Sequence, residues 1–314
     1  MTAPGPRAVK TTHNARMSFP KASVRAFPIL LALAAAPARP AAADAPAPAV
    51  TTRHSLSNSE IRVLPPSSNG RSYQLYVGLP PSYAKQPGRR YPVLYLCDGY
   101  WDFTLFNNIM GGLNYDNDAP EVILVGFGYP GPSPDFGALR AYDYTPAPET
   151  HDVQGKGSGH AREFLHVVES EFIPFVEREY RVDPHFRVLA GSSLGGLFTL
   201  YAMLERPGLF QGYIAPSPAV DWANGWLFER EAAFAAAHKD LPARLFMSGA
   251  GEEHPGYLAQ VRRFDERLQS RHYPGLRYKW RLVDGERHAG TKPESYNRGV
   301  RFVFAPLAAS PNDK

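Results

Sequence analysis

Residues 186–204 read FRVLAGSSLGGLFTLYAML. A short apolar run, a glycine-rich turn and a longer apolar run predict a buried strand, a sharp turn and a helix. A G-x-S-x-G pattern in this context is typical of a nucleophile elbow, with Ser193 as the nucleophile. Gly191 and Gly195 leave room for the strand and the helix to approach around the serine. A glycine-rich turn with a serine cap is the non-catalytic alternative, but the flanking strand and helix favour catalysis.

The composition predicts one sizeable enzyme domain with no affinity for nucleic acid. The chain has 314 residues, of which 44% are hydrophobic, enough for one large core. Its formal charge of +4 arises in residues 1–43, which contain six Lys or Arg and no Asp or Glu. The remainder carries 28 basic against 30 acidic residues, so no basic face for nucleic acid is expected.

The first 43 residues have the order of features of a secretory signal. A positively charged start (17–25) precedes a short apolar run (26–36), which is too short to span a bilayer. Ala41-Ala42-Ala43 then fits a cleavage site before Asp44. We therefore expect a signal peptide at 1–43, a flexible lead-in at 44–55 and a mature protein that is periplasmic or secreted. No cysteine lies at the end of the apolar run, where a lipid would be attached, so a lipid anchor is not expected. Cys97, the only cysteine, is predicted to be a buried thiol.

From residue 56 onward, strand and helix signals alternate. Apolar runs predict strands, the first two of them antiparallel, at 59–64, 72–79, 91–98, 121–127, 186–190, 210–215, 244–248 and 278–283. Apolar spacings of three and four predict helices at about 161–180, 197–204, 226–238, 257–271 and 295–304. This alternation is typical of the α/β class, with a mostly parallel sheet covered on both faces. A single catalytic domain at 56–308 is predicted.

A serine nucleophile needs a base and a group that orients the base. In α/β-hydrolases the chain order is serine, acid, histidine, which among ten histidines favours His288, in the loop after the last strand. An exposed loop histidine is the alternative. For the acid, the loop after strand 244–248 offers Glu252 as the first choice and Glu253 as the alternative, while Asp265 falls in the middle of a helix.

The oxyanion of the reaction requires two backbone N–H groups. Leu194, directly after the nucleophile, is expected to supply one of them. Tyr100, in the loop after strand 91–98, is expected to supply the other. Asp98 either holds that loop by hydrogen bonds or caps the helix that follows it.

Four blocks of the chain resemble one branch of a known superfamily. The chain is similar to the enterochelin esterase-like branch of the α/β-hydrolases over roughly residues 56–305. The blocks that carry this similarity are residues 94–99, 173–177 with 180–183, 190–197 and Ser217-Pro218. The resemblance implies the α/β-hydrolase fold and an esterase whose relatives cleave siderophore esters. The usual histidine before the nucleophile is Ser192 here, and some members of the branch work with a Ser–His pair alone.

The resemblance also suggests residues that contact substrate. Residues 140–146 are similar to the branch's Arg-x-x-Asp-x-Thr-Pro segment beside the active site, so Arg140 could bind an anionic or catecholate substrate. Equally, Arg140 could pair with Asp143. Trp101 and Asp98, in the loop after strand 91–98, are further candidates for substrate binding.

The sequence therefore predicts an exported serine carboxylic-ester hydrolase acting on a small-molecule ester. A feruloyl or acetyl carbohydrate esterase and an acyltransferase of the same fold are the alternatives, and a non-catalytic binding protein is the alternative from another class. No cofactor, metal or nucleotide motif is present, so none of these groups is expected.

Overall fold

The computed structural model of the chain describes residues 55–149 and 157–307. These residues belong to one compact unit that begins at His54. The predicted signal peptide (1–43) and lead-in (44–55) lie outside the described residues, apart from Ser55.

Eight strands form one sheet with the order β1-β2-β4-β3-β5-β6-β7-β8. Strand β2 is antiparallel to both of its neighbours, and all other pairs are parallel. The sheet thus has the mostly parallel α/β-hydrolase arrangement predicted from the alternation of elements. The strands are β1 (Ser59–Val63), β2 (Gln74–Gly78), β3 (Tyr91–Leu96), β4 (Ile123–Gly128), β5 (Val182–Ala190), β6 (Gly212–Pro216), β7 (Arg244–Ala250) and β8 (Arg277–Val283).

Eight α-helices lie between and after the strands in the described ranges. They are α1 (Gly99–Tyr115), α2 (Phe136–Tyr144), α3 (Ala161–Val167), α4 (Ile173–Glu179), α5 (Leu194–Glu205), α6 (Trp222–Ala237), α7 (Pro255–Arg271) and α8 (Lys292–Val303). A π-helical turn, Val168–Phe172, joins α3 to α4. Among the described residues, no helix has the length and apolar content that crossing a bilayer requires.

Two apolar layers cover the sheet, one on each face. Helices α1 and α8 contribute the apolar side chains of the smaller layer, including Phe106 and Tyr296. Helices α2 to α7 contribute those of the larger one, including Phe164, Phe198 and Phe264. Strands β3 and β4 are buried along their whole length, as expected for parallel strands covered on both sides.

The chain order of the strands determines where a ligand site can form. From β3 the chain crosses to β4 on one side, and β5 then returns to pair with β3 on the other side. In open α/β sheets, ligands bind at the carboxyl ends of the strands where the direction of winding reverses. The segments after β3 and β5, which contain Asp98 and Ser193, lie at this position.

The predicted strands are all present, and the helices α1 and α2 are additional. The predicted helix at about 161–180 is interrupted by the π-helical turn, which directly precedes Ile173-Pro174. A proline cannot donate the backbone hydrogen bond of a helix interior. A local change of winding before Pro174 accommodates this loss.

Candidate active site

Ser193 lies at the sharp turn between β5 and α5. Its backbone has φ 60° and ψ −120°, a conformation that residues with side chains rarely adopt. Its amide donates to the carbonyl of Pro216 at 3.2 Å, and its carbonyl accepts from the amide of Ala219 at 3.0 Å. These two hydrogen bonds attach the turn to the end of β6 and the loop after it, and the half-buried serine lies at the carboxyl edge of the sheet.

The glycines beside Ser193 are required by close packing. A Cβ atom on Gly191 would lie 2.5 Å from the carbonyl oxygen of Gly195, and one on Gly195 would lie 2.9 Å from the Cβ of Cys97. Both distances are shorter than any real contact of this kind. The structure thus confirms that only glycine fits at the two positions. Cys97 itself is buried, as predicted, and burial raises the pKa of its thiol well above the ordinary value.

His288 lies in the loop after β8, and its side chain remains 43% exposed. Its Nδ1 atom contacts the Oε1 atom of Glu253, whose side chain is only 3% exposed. The ring of Tyr257 packs nearly perpendicular to the imidazole, with 5.3 Å between the ring centroids. A carboxylate on one ring nitrogen orients an imidazole so that the other nitrogen can exchange protons.

The Glu253 carboxylate is held by two further donors. Its Oε2 atom accepts from the hydroxyl of Ser217 at 3.1 Å and from the amide of Ala250 at 3.3 Å. Ser217 is fully buried, and its backbone has a positive φ of 39°. Glu253 thus follows β7, His288 follows β8, and Ser217, which supports Glu253, follows β6.

The structure corrects the preference for Glu252. The Glu252 carboxylate is 60% exposed and its ionic contact is with Arg287, at 3.9 Å. In the turn after β7, the amide of Glu252 bonds to Glu286 while that of Glu253 bonds back to Ala250. Adjacent residues of this turn therefore direct their side chains to opposite sides, and the carboxylate beside His288 belongs to Glu253.

The amides expected to form the oxyanion hole both lie at the beginning of a helix. Leu194 is the first residue of α5, and Tyr100 is the second residue of α1. N–H groups in the first turn of a helix have no acceptor within that helix. The two helices approach one another where Gly195 packs against Cys97 and Asp98, so both candidate donors belong to the same edge of the sheet.

Asp98 and Arg140, both predicted to bind substrate, bind each other. Arg140 Nε and one terminal nitrogen each donate to an Asp98 carboxylate oxygen at 2.8 Å. The same nitrogen lies 3.4 Å from the carbonyl of Ser192. Burial opposes the charge of Arg140, but the attraction of Asp98 outweighs it and holds the pKa of the guanidinium above its ordinary value. Both donors of the Arg140 fork are thus occupied by Asp98, next to the turn that contains Ser192 and Ser193.

For Asp98 the structure agrees with one of the two alternatives, and for Arg140 it shows a partner that neither alternative named. Asp98 makes no side-chain cap to α1, so its carboxylate holds the loop through Arg140. Asp143 does not pair with Arg140 but with Arg71, at 3.4 Å, and it accepts from the hydroxyl of Tyr73 at 3.0 Å. Burial raises the pKa of Asp143 to about 6, against the charge of Arg71.

Trp101 is the predicted substrate-binding residue that remains accessible. It lies in the first turn of α1 and is 57% exposed. The guanidinium of Arg140 and the ammonium of Lys292 lie 5.6 Å and 5.9 Å from its ring centroid. Lys292 is itself anchored to Asp102 at 2.8 Å. An exposed indole with cations at its side is suited to contact a flat or anionic group.

Two residues of the site were not predicted from the sequence. Ser217 supports Glu253, and Tyr257 packs on His288 and donates its hydroxyl to the Ser217 carbonyl at 2.7 Å. The only sequence signal for Ser217 was its place in a family motif, and Tyr257 was recognised only as the start of a helix. Within the described ranges, no three His, Cys, Asp or Glu side chains cluster as a metal site would require.

Comparison with known proteins gives a family match that covers most of the chain. Residues 67–289 match a family model described as "Putative esterase". The chain belongs to this esterase family. Its reaction class is therefore the hydrolysis of carboxylic esters.

Relatives of known activity are found among bacterial and fungal proteins. The esterase is 27% identical to ferri-bacillibactin esterase BesA of Bacillus subtilis, over 80% of its own length and 91% of that protein. It is 30% identical to siderophore triacetylfusarinine C esterase of Aspergillus fumigatus, over 64% of its own length and 70% of that protein. The crystal structure of the BES protein from Bacillus cereus superposes with a TM-score of 0.72 and 27% identity, covering 82% of this chain and 99% of that one.

Proposed function

We propose that this protein is an exported serine esterase that cleaves siderophore-type esters through Ser193, His288 and Glu253. The observation that carries the proposal is the contact between His288 Nδ1 and Glu253, whose other oxygen is held by Ser217 and Ala250. Nucleophilic acyl transfer requires a histidine that a carboxylate orients in this way and a serine exposed by a strained turn.

The proposed reaction follows from the position of the ring hydrogen of His288 and of the hydroxyl proton of Ser193. Glu253 keeps the hydrogen of His288 on Nδ1, which leaves Nε2 free to accept the proton of Ser193 as its Oγ attacks the ester carbonyl. The imidazolium that forms then donates this proton to the departing alkoxide. Water next attacks the acyl-serine, with His288 again taking and returning a proton, and the carboxylic acid is released.

The tetrahedral intermediates carry negative charge on the former carbonyl oxygen. The amides of Leu194 and Tyr100 are the donors proposed to stabilise it, because each begins a helix and has no acceptor there. The positive ends of α5 and α1 add to this stabilisation. Loss of one such donor in other serine hydrolases costs on the order of 10²–10³ in kcat.

The substrate class is proposed from the relatives and from the surface beside Ser193. The similar proteins from Bacillus subtilis and Aspergillus fumigatus are named as siderophore esterases. The exposed Trp101, flanked by Arg140 and Lys292, suits an aromatic or catecholate arm of such a substrate. No cofactor takes part in the proposed mechanism.

The serine mechanism is tested by comparing two neighbouring serines. Ser193→Ala is expected to lower kcat on a nitrophenyl ester by about 10⁶-fold, because triad members act as a unit. Ser192→Ala is the matched control: its buried hydroxyl has no hydrogen-bond partner among the described residues, so most activity should remain. A fluorophosphonate should label the wild type and the control but not Ser193→Ala. Labelling that persists in Ser193→Ala contradicts the assignment.

The substrate class is tested with a panel of esters. Catecholate trilactones, feruloyl sugars and short nitrophenyl esters are compared by kcat/KM, with the trilactones expected to be cleaved most efficiently. A preference for feruloyl sugars would instead identify a carbohydrate esterase. Acyl products formed on an added alcohol would identify an acyltransferase. A protein that binds these esters but neither turns over nor is labelled would be a binding protein.

Export is supported by the leader sequence alone. Residues 17–43 combine a basic start, a short apolar run and an Ala-Ala-Ala site. The expected mature protein begins near Asp44 and resides in the periplasm or outside the cell. N-terminal sequencing of natively expressed protein tests this, and intact residues 17–43 in a soluble cytosolic pool would contradict it.

A further inference from the structure

Three side chains on one face of α2 hold the turn that contains Tyr100. Phe136, Arg140 and Tyr144 are spaced four residues apart, so they lie on the same side of the helix. The ring of Phe136 stacks on that of Tyr100, with 3.7 Å between the centroids and 12° between the planes. The hydroxyl of Tyr144 accepts from the amide of Asp98 at 3.1 Å. Between them, Arg140 donates to both carboxylate oxygens of Asp98 at 2.8 Å.

Asp98 has a backbone conformation that requires such support. Its φ of 56° and ψ of 41° lie in the left-handed region, which residues with side chains rarely adopt. Its carbonyl accepts from the amides of Trp101 and Asp102, at 2.9 Å and 3.0 Å, where α1 begins. The conformation of Asp98 therefore directs the peptide groups that follow it, and the amide of Tyr100 is one of these groups.

The two candidate oxyanion donors have the same relation to Arg140. Tyr100 comes two residues after Asp98, and Leu194 comes two residues after Ser192. One terminal nitrogen of Arg140 contacts the carboxylate of Asp98 at 2.8 Å and the carbonyl of Ser192 at 3.4 Å. A single guanidinium thus connects the two turns from which the donors come.

Both donor amides are free to bind a ligand. Within the described ranges, the amides of Tyr100 and Leu194 have no hydrogen-bond acceptor, although the next amide in each turn has one. The amide of Gly195 bonds to the carbonyl of Ser192 at 2.9 Å, and that of Trp101 is bonded in the same way within its own turn. Donors of an oxyanion hole must lie about 2.7–3.1 Å from the oxyanion, so their separation has to be exact to a few tenths of an ångström.

We propose that Arg140 is a positioning residue, which sets the separation of the two oxyanion amides through its contacts with Asp98 and with the Ser192 carbonyl. The inference rests on the proposed serine mechanism. In this role Arg140 exchanges no proton and does not contact the oxyanion. The side chains of Arg140 and Asp98 are only 12% and 2% exposed, which suits a fixed internal support.

The role predicts which kinetic constant changes. The separation of the two amides matters most once the carbonyl carbon has become tetrahedral and its oxygen negatively charged. The bound ester, whose carbonyl is still planar, depends less on it. Loss of Arg140 should therefore lower kcat and leave KM nearly unchanged, whereas loss of a substrate-binding residue would raise KM.

The test uses nitrophenyl acetate, a neutral ester with no anionic group for a guanidinium to bind. Arg140→Gln is expected to lower kcat about 10²-fold, as for the loss of one oxyanion donor, with KM within about twofold. The inhibition constant of a matching trifluoromethyl ketone, which forms an oxyanion on Ser193, should rise by about the same factor. Arg71→Gln is the matched control, because Arg71 pairs with another buried carboxylate, that of Asp143, at 3.4 Å. Its kcat should stay within about twofold of the wild type.

Two further variants separate positioning from folding. Rates are expressed per active site, titrated to completion with a fluorophosphonate, so that unfolded protein does not contribute. If Arg140→Gln does not fold, Arg140→Lys keeps the positive charge beside Asp98 but cannot form two parallel hydrogen bonds, and kcat should fall about tenfold. Asp98→Asn combined with Arg140→Gln should lose no more activity than either single variant, because both substitutions remove the same pair.

A kcat for Arg140→Gln, or for Arg140→Lys, equal to that of Arg71→Gln overturns the inference. So does a loss confined to KM, because Arg140 would then bind substrate. Additive losses in the double variant overturn it as well, since Asp98 and Arg140 would then act separately. A wild type that is not labelled at Ser193 contradicts the proposed serine mechanism itself. A labelled wild type with an unchanged Arg140→Gln rate contradicts only the role of Arg140.

Discussion

Replacing Glu253 by glutamine tests the proposed acid with almost no change in volume. The Oε2 position accepts from the amide of Ala250 and the hydroxyl of Ser217. Since a backbone amide can only donate, the glutamine oxygen must occupy this position. Its NH₂ group then faces Nδ1 of His288. Nδ1 is thereby forced to accept, which places the ring hydrogen on Nε2, the wrong nitrogen for a general base.

The size of the effect follows from this change of tautomer. In a serine protease, the corresponding exchange of carboxylate for amide lowers kcat by about 10⁴-fold, or roughly 5.4 kcal/mol at about 1.36 kcal/mol per tenfold. We expect a loss of this order for Glu253→Gln on a nitrophenyl ester. Glu252→Gln is the matched control: its exposed carboxylate has one ionic contact at 3.9 Å, so kcat should change less than about twofold.

The tautomer can be observed directly. Nitrogen NMR of the imidazole should show His288 with its hydrogen on Nε2 in Glu253→Gln and on Nδ1 in the wild type. Thermal melting of both variants establishes that they are folded. If Glu253→Gln keeps kcat within about tenfold of the wild type, the acid is dispensable and the enzyme works as a Ser193–His288 pair. An equal loss in Glu252→Gln would refute the geometric reasoning.

Three further substitutions test the support of the site. The melting temperature of Asp143→Asn relative to that of the wild type should rise as the pH rises from about 4 to 6. The buried Asp143 carboxyl, whose pKa is raised to about 6, stabilises the fold below its unfolded pKa, and this stabilisation is lost as the carboxyl ionises. A pH-independent difference between the two proteins contradicts the prediction. Gly195→Ala should destabilise the protein by about 1–3 kcal/mol, because its Cβ would lie 2.9 Å from Cys97. Gly112→Ala is the control, since there is open space around Gly112. Equal denaturant midpoints for the two variants would refute the packing argument. Arg140→Gln should lower the free energy of unfolding by about 3–5 kcal/mol, because it leaves the buried Asp98 carboxylate without its partner. A loss under about 1 kcal/mol in urea unfolding would show that the pair is dispensable.

The parts of the site that follow from local pattern were predictable. Ser193 is defined by the glycines around it, and His288 by its place after the last strand. Both statements depend on chain order and on short-range sterics, which the sequence carries directly. The fold class follows in the same way from the alternation of apolar runs.

The choice between Glu252 and Glu253 could not be made from the sequence. It depends on which amide of the turn after β7 bonds to Glu286 and which bonds back to Ala250. The residue types of two adjacent glutamates do not determine these backbone hydrogen bonds. The partner of Arg140 was open for a similar reason. Asp98 lies 42 residues away, whereas Asp143 lies three residues along the same helix.

Helix α1 escaped prediction because its pattern is weak. It contains the adjacent pair Gly111 and Gly112, and each glycine lowers helix propensity by about 1 kcal/mol. Its buried residues share one helical face, but two of them, Gly99 and Asp102, are not apolar. Its beginning at Gly99 is fixed by contact with Gly126 of β4, where a Cβ would lie 2.7 Å from the backbone. Tertiary packing, not propensity, therefore determines this helix.

The packing of Gly191 and Gly195 against Cys97 has a consequence for the order of folding. The turn that holds Ser193 is complete only when β3 and β5, about ninety residues apart in sequence, have already paired. Contacts of such high sequence separation form late, because the entropy of the intervening loop must be lost first. Recovery of enzyme activity during refolding should therefore lag behind the recovery of helical circular dichroism, with the turn at Ser193 among the last parts of the chain to reach its native geometry.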